Sequence, residues 1–148
     1  TKDDRKNDTL IGFRDATRRL DDLYGFFPKY FGLSEPEYWS LVLIYEGVQT
    51  QSRISEQLCL SRQTLNSAFK LLVKKDLIRL EPLETDQRTK RAILTSAGQE
   101  LAERIAGDMH YIEGQAWGKL EKNEQEMLAK LTQKYACVLK EILSAVKN

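Results

Sequence analysis

One histidine, two cysteines and three prolines are all that 148 residues offer of these types, and each scarcity closes a route. A metal site needs several ligands at close spacing. His110 is the sole histidine, and Asp108 and Glu113 near it read as surface charges on a helix, so neither a metal nor a cofactor is expected. Cys59 and Cys137 have no C-x-x-C spacing, and Thr1-Lys2-Asp3-Asp4-Arg5 carries no apolar signal segment. A reducing cytoplasm is therefore the expected setting. No apolar run approaches the roughly 20 residues that span a bilayer, which leaves no membrane partner. There is also no G-x-S-x-G, no phosphate-binding glycine loop and no paired metal ligands. No catalytic constellation is assembled, and an enzyme is not expected.

Apolar residues at 41% can furnish a core, and charged residues at 30% suit a helix-rich surface. The formal net charge is only +1, which argues against a uniformly basic coat. The charge is unevenly placed, however: residues 50–95 hold nine Lys/Arg against five Asp/Glu, while both flanking segments are slightly acidic. Local positive charge is what a phosphate backbone rewards, although a solvated charged face has the same composition.

The apolar spacing of Leu10, Phe13, Leu20, Leu23 and Phe27 predicts a helix from about Leu10 to Phe31. Ser34-Glu35-Pro36-Glu37 is a capping box with proline in the first turn, opening a helix that Gly47 ends. A short helix fits Gln51 to Leu58, capped by Thr50 or Ser52. The next runs from Ser61 to about Lys75, with Leu65, Ala68, Phe69, Leu72 and Val73 as its buried stripe. Leu77–Glu81 and Arg91–Leu94 have strand character, and the polar run between them predicts a hairpin with a protruding charged tip. Thr95 caps a long helix towards residue 118, and a last helix spans about Lys122 to Val146. The fold class is mainly α with a small β-hairpin.

Two short helices separated by the tight turn at Cys59-Leu60 form a helix-turn-helix candidate. With the apolar stripe turned inward, Ser61, Arg62, Gln63, Thr64, Asn66, Ser67, Lys70 and Lys74 are left outside. Arg and Gln pair bidentately with base edges in the major groove, and hydroxyls can bond either base. Their place in the first two turns suits docking by the helix N-terminus, whereas Lys70 and Lys74 are better placed for phosphates. An ordinary polar helix face would look alike. On the hairpin tip, Arg88 can enter a narrow minor groove, with Lys90 beside it. Asp86 would repel phosphate. Its expected role is internal, stiffening the hairpin through a salt bridge to Arg79.

These segments together resemble the multiple-antibiotic-resistance regulator (MarR) family of bacterial transcription factors. The resemblance rests on Ile54-Ser55-Glu56-Gln57-Leu58-Cys59-Leu60-Ser61, Thr64-Leu65, and Leu71-Leu72-Val73-Lys74-Lys75-Asp76-Leu77-Ile78-Arg79. Most specific are Asp86-Gln87-Arg88 and Leu94-Thr95-Ser96-Ala97-Gly98, the family's D-x-R wing and the L-T-x-x-G that follows. Asp76 departs from the usual glycine, and Arg53 stands where an acidic residue is common. The resemblance implies a winged helix-turn-helix at 34–95, with N- and C-terminal dimerisation helices at 1–33 and 96–148. It also implies a homodimeric repressor on a pseudo-palindromic double-stranded DNA operator.

The last helix is compatible with such a dimer, since Leu120, Met127, Leu128, Leu131, Tyr135, Val138, Leu139, Ile142 and Leu143 exceed what a peripheral helix needs. The resemblance further implies release by a small aromatic or anionic effector, held by Phe27, Tyr30, Phe31, Tyr38, Trp39 and Tyr45. A plain core and dimer interface would use the same residues. Two other readings stand beside this one. One is a winged-helix protein-interaction module, against which Arg62, Lys70, Lys74 and Arg88 speak. The other is a redox-sensing regulator acting through Cys59.

Overall fold

The computed structural model describes residues 8–86 and 88–147. Residues 1–7 of the expected N-terminal region, Gln87 of the wing motif and Asn148 of the expected C-terminal region lie outside them. The element order is α1 (Asp8–Tyr24), α2 (Phe26–Tyr30), α3 (Glu35–Tyr45), α4 (Gln51–Leu58), α5 (Arg62–Lys74), β1 (Ile78–Pro82), β2 (Lys90–Leu94), α6 (Ser96–Trp117) and α7 (Lys122–Lys147). The chain divides into two compact units, Thr1–Gly107 and Asp108–Asn148, a cut that runs through α6. Among the described residues no helix is long and apolar enough to cross a membrane.

The single helix expected from Leu10 to Phe31 is two helices. Pro28 supplies the reason: it has no N–H for the carbonyl of Tyr24, and its ring would collide with that carbonyl in a continuous helix. Helix α1 therefore stops at Tyr24, the N–H of Gly25 donates to the carbonyls of Asp21 and Asp22 (3.1 and 3.2 Å), and α2 restarts at Phe26.

Helix α3 opens on the expected capping box. The Ser34 hydroxyl accepts from the N–H of Glu37, and Glu37 Oε1 accepts from the N–H of Ser34 at 3.1 Å. The same carboxylate reaches α5: Lys75 Nζ donates to Glu37 Oε2 at 2.7 Å. Glu37 is only 3% exposed, whereas Lys75 is 40% exposed. Burial pushes the Glu37 carboxyl up, but the hydrogen bonds from Lys75 and Ser34 outweigh it and hold the group below its ordinary value. At the other end Gly47 takes φ 101°, a conformation that L side chains rarely adopt. There its N–H donates to Ile44 and that of Val48 to Leu43.

The core of the first unit is built by Tyr38 and Leu41 from α3, Ile54 from α4, Leu65, Phe69 and Leu72 from α5, Ile78 and Ala92 from the hairpin, and Ala102 and Ile105 from α6. Val73, expected on the buried stripe, is exposed. Eight residues beyond Leu65 it has rotated about 80° off the stripe, whereas Leu72 lies about 20° from its centre. Strands β1 and β2 pair antiparallel with Ile78 opposite Leu94 and Pro82 opposite Lys90. The other edge of β2 is also paired: the N–H of Ala92 donates to the carbonyl of Gln49 at 2.8 Å, and Thr50 bridges to Arg91.

The base of the hairpin meets the start of α6 at very short range. Thr95 Oγ1 donates to the carbonyl of Asp76 (2.6 Å) and accepts from the N–H of Gly98 (3.0 Å), while the N–H of Thr95 donates to the carbonyl of Leu77. A Cβ on Gly98 would run into the Leu77 carbonyl oxygen, so the approach requires glycine. Asp76 takes φ 59°, the left-handed turn that aspartate tolerates better than most residues.

In the second unit Gln125 Nε2 donates to the carbonyls of Trp117 and Leu120, which closes the end of α6. The N–H of Glu121 is satisfied by Glu124 Oε1, which starts α7. The apolar stripe of α7 stays open, with Leu131 at 55% exposure and Tyr135, Val138, Leu139 and Ile142 all exposed.

Candidate nucleic-acid interface

Helix α4 begins where the Thr50 hydroxyl accepts from the N–H of Arg53 at 3.4 Å, so Thr50 and not Ser52 is its cap. Cys59 turns the chain in the left-handed region (φ 55°, ψ 39°). The turn is closed twice, by the N–H of Leu60 on the Ser55 carbonyl (3.1 Å) and by the Ser55 hydroxyl on the Leu60 carbonyl (2.6 Å). Ser61 then caps α5: its Oγ accepts from the N–H of Thr64 (3.1 Å) and donates to Thr64 Oγ1 (2.9 Å). The hydroxyls of Ser61 and Thr64, both expected at the interface, thus already serve the helix start. The Ser67 hydroxyl donates to the Gln63 carbonyl at 3.1 Å. Arg62, Gln63, Asn66, Lys70 and Lys74 are exposed, opposite the buried Leu65, Phe69 and Leu72.

The hairpin tip is stiffened, but not by the expected ion pair. Arg79 lies 3.7 Å from Glu81 Oε1, and Glu81 Oε2 lies 3.5 Å from Arg91 across the strands. Asp86 instead binds its own loop: Oδ2 accepts from the Thr89 hydroxyl (2.7 Å) and Oδ1 from the N–H of Arg88 (2.9 Å). An aspartate two residues before a free N–H closes an Asx turn more readily than it reaches along a strand. Those bonds, from Thr89 first and then Arg88, hold the Asp86 carboxyl below its ordinary range. The loop is tied again by the N–H of Leu83 on the Thr89 carbonyl and that of Thr89 on the Asp86 carbonyl. The consequence is that the Asp86 carboxylate is taken up by its own loop, while the Arg88 side chain remains exposed.

The pairing of β2 with Gln49 and Thr50 sets the hairpin against the helix pair and leaves a groove of about 390 Å³ between them. Arg62 and Asn66 from α5, Arg88, Thr89 and Lys90 from the wing, Leu80 from β1, and Gln51 and Ser52 from α4 line it. Four residues expected from sequence, Arg62, Asn66, Arg88 and Lys90, therefore meet at one place. Lys70 and Lys74 stand further along α5, outside the groove lining. Sequence reasoning missed Gln51, Ser52 and Leu80 in this lining, because their place there depends on a fold-back between α4 and β2 that no local pattern announces.

The six aromatic residues expected around an effector are mostly packed on one another. Tyr38 contacts Trp39 (4.9 Å between ring centres), Phe31 (6.3 Å) and Phe27 (6.4 Å), and Tyr30 lies edge-on to Phe31 at 5.0 Å. Phe27 and Tyr38 are buried, and Tyr30 is exposed. Tyr45 is the last residue of α3, at the end away from the cluster. The Arg104 guanidinium lies over the Phe31 ring at 5.8 Å. Cys59 and Cys137 are free and exposed, so neither is the small buried residue that cysteine often is.

Two short helices joined by a left-handed turn, the second capped and basic on its outer face, with a two-stranded hairpin beside it, define a winged helix-turn-helix protein. Residues 31–89 match the model of the MarR family. That match spans the segment from Phe31, just after α2, to Thr89 in the wing. No curated protein matches the sequence. Among solved structures, a putative MarR family transcriptional regulator from Listeria monocytogenes complexed with a 26mer DNA is 24% identical at a TM-score of 0.74, with 93% of each chain covered. The transcriptional regulator SlyA is 23% identical at 0.73, covering 94% of this chain and 99% of its own. The S. aureus MepR–DNA complex is 23% identical at 0.69, covering 86% of this chain and 96% of its own. At these identities the likeness establishes a shared fold.

Proposed function

We propose that this chain is a homodimeric transcriptional repressor that binds a pseudo-palindromic double-stranded DNA operator, with α5 in the major groove and the wing in the minor groove. The observation that carries it is the groove where Arg62 and Asn66 of α5 face Arg88 and Lys90 of the wing. One groove thus offers base-reading side chains and a projecting guanidinium at once. Arg62, Gln63 and Asn66 are the reading positions. Lys70 and Lys74 meet the backbone, and Ser61, Thr64 and Ser67 orient the helix start and add hydroxyls at its rim. Two of the similar structures are DNA complexes, which agrees with this reading.

The dimer uses the helical regions 1–33 and 96–148, around a winged module at 34–95. The exposed apolar stripes of α1 and α7 support it. Two-fold symmetry then places half-sites about 10 bp apart. A small aromatic or anionic effector would act at the ring cluster, where Tyr30 is exposed and Arg104 adds positive charge beside Phe31.

The test is fluorescence anisotropy on a labelled generic duplex at two salt concentrations. Binding that weakens steeply with salt is expected, because each neutralised phosphate releases counterions. No binding even at low salt would refute the reading.

A further inference from the structure

Lys75 is the last basic residue of a basic helix, and its place invites reading it as one more phosphate contact. Its ammonium is engaged elsewhere. At the C-cap of α5 it donates to Glu37 Oε2 at 2.7 Å, while Glu37 Oε1 accepts from the N–H of Ser34 at 3.1 Å. One buried carboxylate therefore joins the first turn of α3 to the last turn of α5, across 38 residues of sequence.

An ion pair with one partner buried and the other half-exposed gives little net stability, since desolvation of the carboxylate and solvent screening of the ammonium offset most of the attraction. What it does give is direction. The stripe Leu65, Phe69 and Leu72 seats α5 against the core by close packing, and the polar contact at its C-terminal end adds a directional bond to that seat. A charged bond with a fixed partner on each oxygen admits one arrangement. The leverage is large. Helix α5 has 13 residues, about 20 Å, so a tilt of about 10° at Lys75 moves Arg62 by about 3 Å. A bidentate bond to a base edge survives only a few tenths of an ångström.

We infer that Glu37 and Lys75 are positioning residues for sequence recognition: the bond from the half-exposed Lys75 to the buried Glu37 carboxylate fixes the pitch of α5, so that Arg62, Gln63 and Asn66 reach base edges together, although neither residue touches DNA. This rests on the reading of α5 as the recognition helix.

The experiment first selects a duplex from a random library with the wild-type protein. It then measures affinity for that duplex and for a scrambled one, over a range of salt, for K75M, K75R and the double substitution E37Q/K75M. The double substitution leaves no stranded charge in the core, and thermal melting confirms its fold. The expected result is a loss of about tenfold in the preference for the selected duplex in K75M and E37Q/K75M, the worth of one good base contact. Affinity for the scrambled duplex and its salt slope stay unchanged, and K75R retains the preference within about twofold.

A merely structural role lowers the folded fraction and weakens both duplexes equally, leaving the preference unchanged; that result overturns the proposal. A salt slope reduced by about one in K75M makes Lys75 a phosphate contact and also overturns it. If the wild type selects no sequence at all, the recognition reading itself falls and takes the proposal with it. An intact wild-type preference with unaffected variants sinks only the pair.

Discussion

Leu65 and Leu139 are the same residue type in helices with the same kind of apolar stripe, yet Leu65 is fully buried and Leu139 is 42% exposed. The winged module covers its stripe with other elements of the chain. Among the described residues α1 and α7 bury none of theirs. A stripe of apolar side chains is an equally strong signal in both places, because periodicity reports that a face is to be covered and not by what. In α5 the stripe is buried together with Tyr38, Leu41 and Ile54 of α3 and α4; in α7 no described residue is buried.

The comparison can be broken or sharpened at four points. The largest effect is expected at the hairpin base. Gly98→Ala puts a methyl group into the Leu77 carbonyl, and a loss of about 4 kcal/mol is expected in urea unfolding. A variant as stable as wild type would mean that the approach relaxes freely. Next, Leu65→Ala should cost about 3 kcal/mol, equally at every protein concentration. Leu139→Ala should lower the melting temperature by an amount that changes with concentration, because a covering partner stabilises by mass action. Sedimentation of both variants as monomers indistinguishable from wild type would end the dimer reading of α7.

A third effect depends on pH. Glu37 is held below its ordinary value of 4.5, so the folded state binds fewer protons than the unfolded one in that range. Its contribution is present above pH 4.5 and is lost as the pH falls through the lowered value. Glu37→Gln should flatten the acid side of the stability profile and cost about 1–3 kcal/mol at neutral pH. Parallel acid profiles for the two proteins would contradict this. The smallest effects lie on the exposed face. Arg88→Ala and Gln63→Ala should each leave stability within about 0.5 kcal/mol. The first should weaken binding to all duplexes and reduce the salt slope by about one, and the second should relax one base-pair preference by about 1–3 kcal/mol. Unchanged DNA binding in both would show the face misassigned.

What could be read from sequence was local. The Ser34 box, the caps at Ser61 and Thr95, and the inward residues Leu65, Phe69 and Leu72 all depend on neighbours within a turn or two, and all are where periodicity and capping put them. The errors come from competition between local signals or from distance. The apolar spacing of residues 10–31 outweighed Pro28, though the proline ends α1. Arg79 and Asp86 have opposite charges, but the backbone N–H of Arg88 and the hydroxyl of Thr89 lie nearer to Asp86 and take it first. Glu37 with Lys75, and Gln49 with Ala92, pair across 38 and 43 residues. No spacing rule reaches so far, and with them go the seat of the wing and the anchor of α5.

Gly98 has one more consequence. With its α-carbon against the Leu77 carbonyl and Thr95 bonded to Asp76, the foot of the wing and the head of α6 form a joint with no backlash. Any side chain larger than hydrogen at that point would part the two, so the seat of the wing and the start of α6 share the clearance of a single residue.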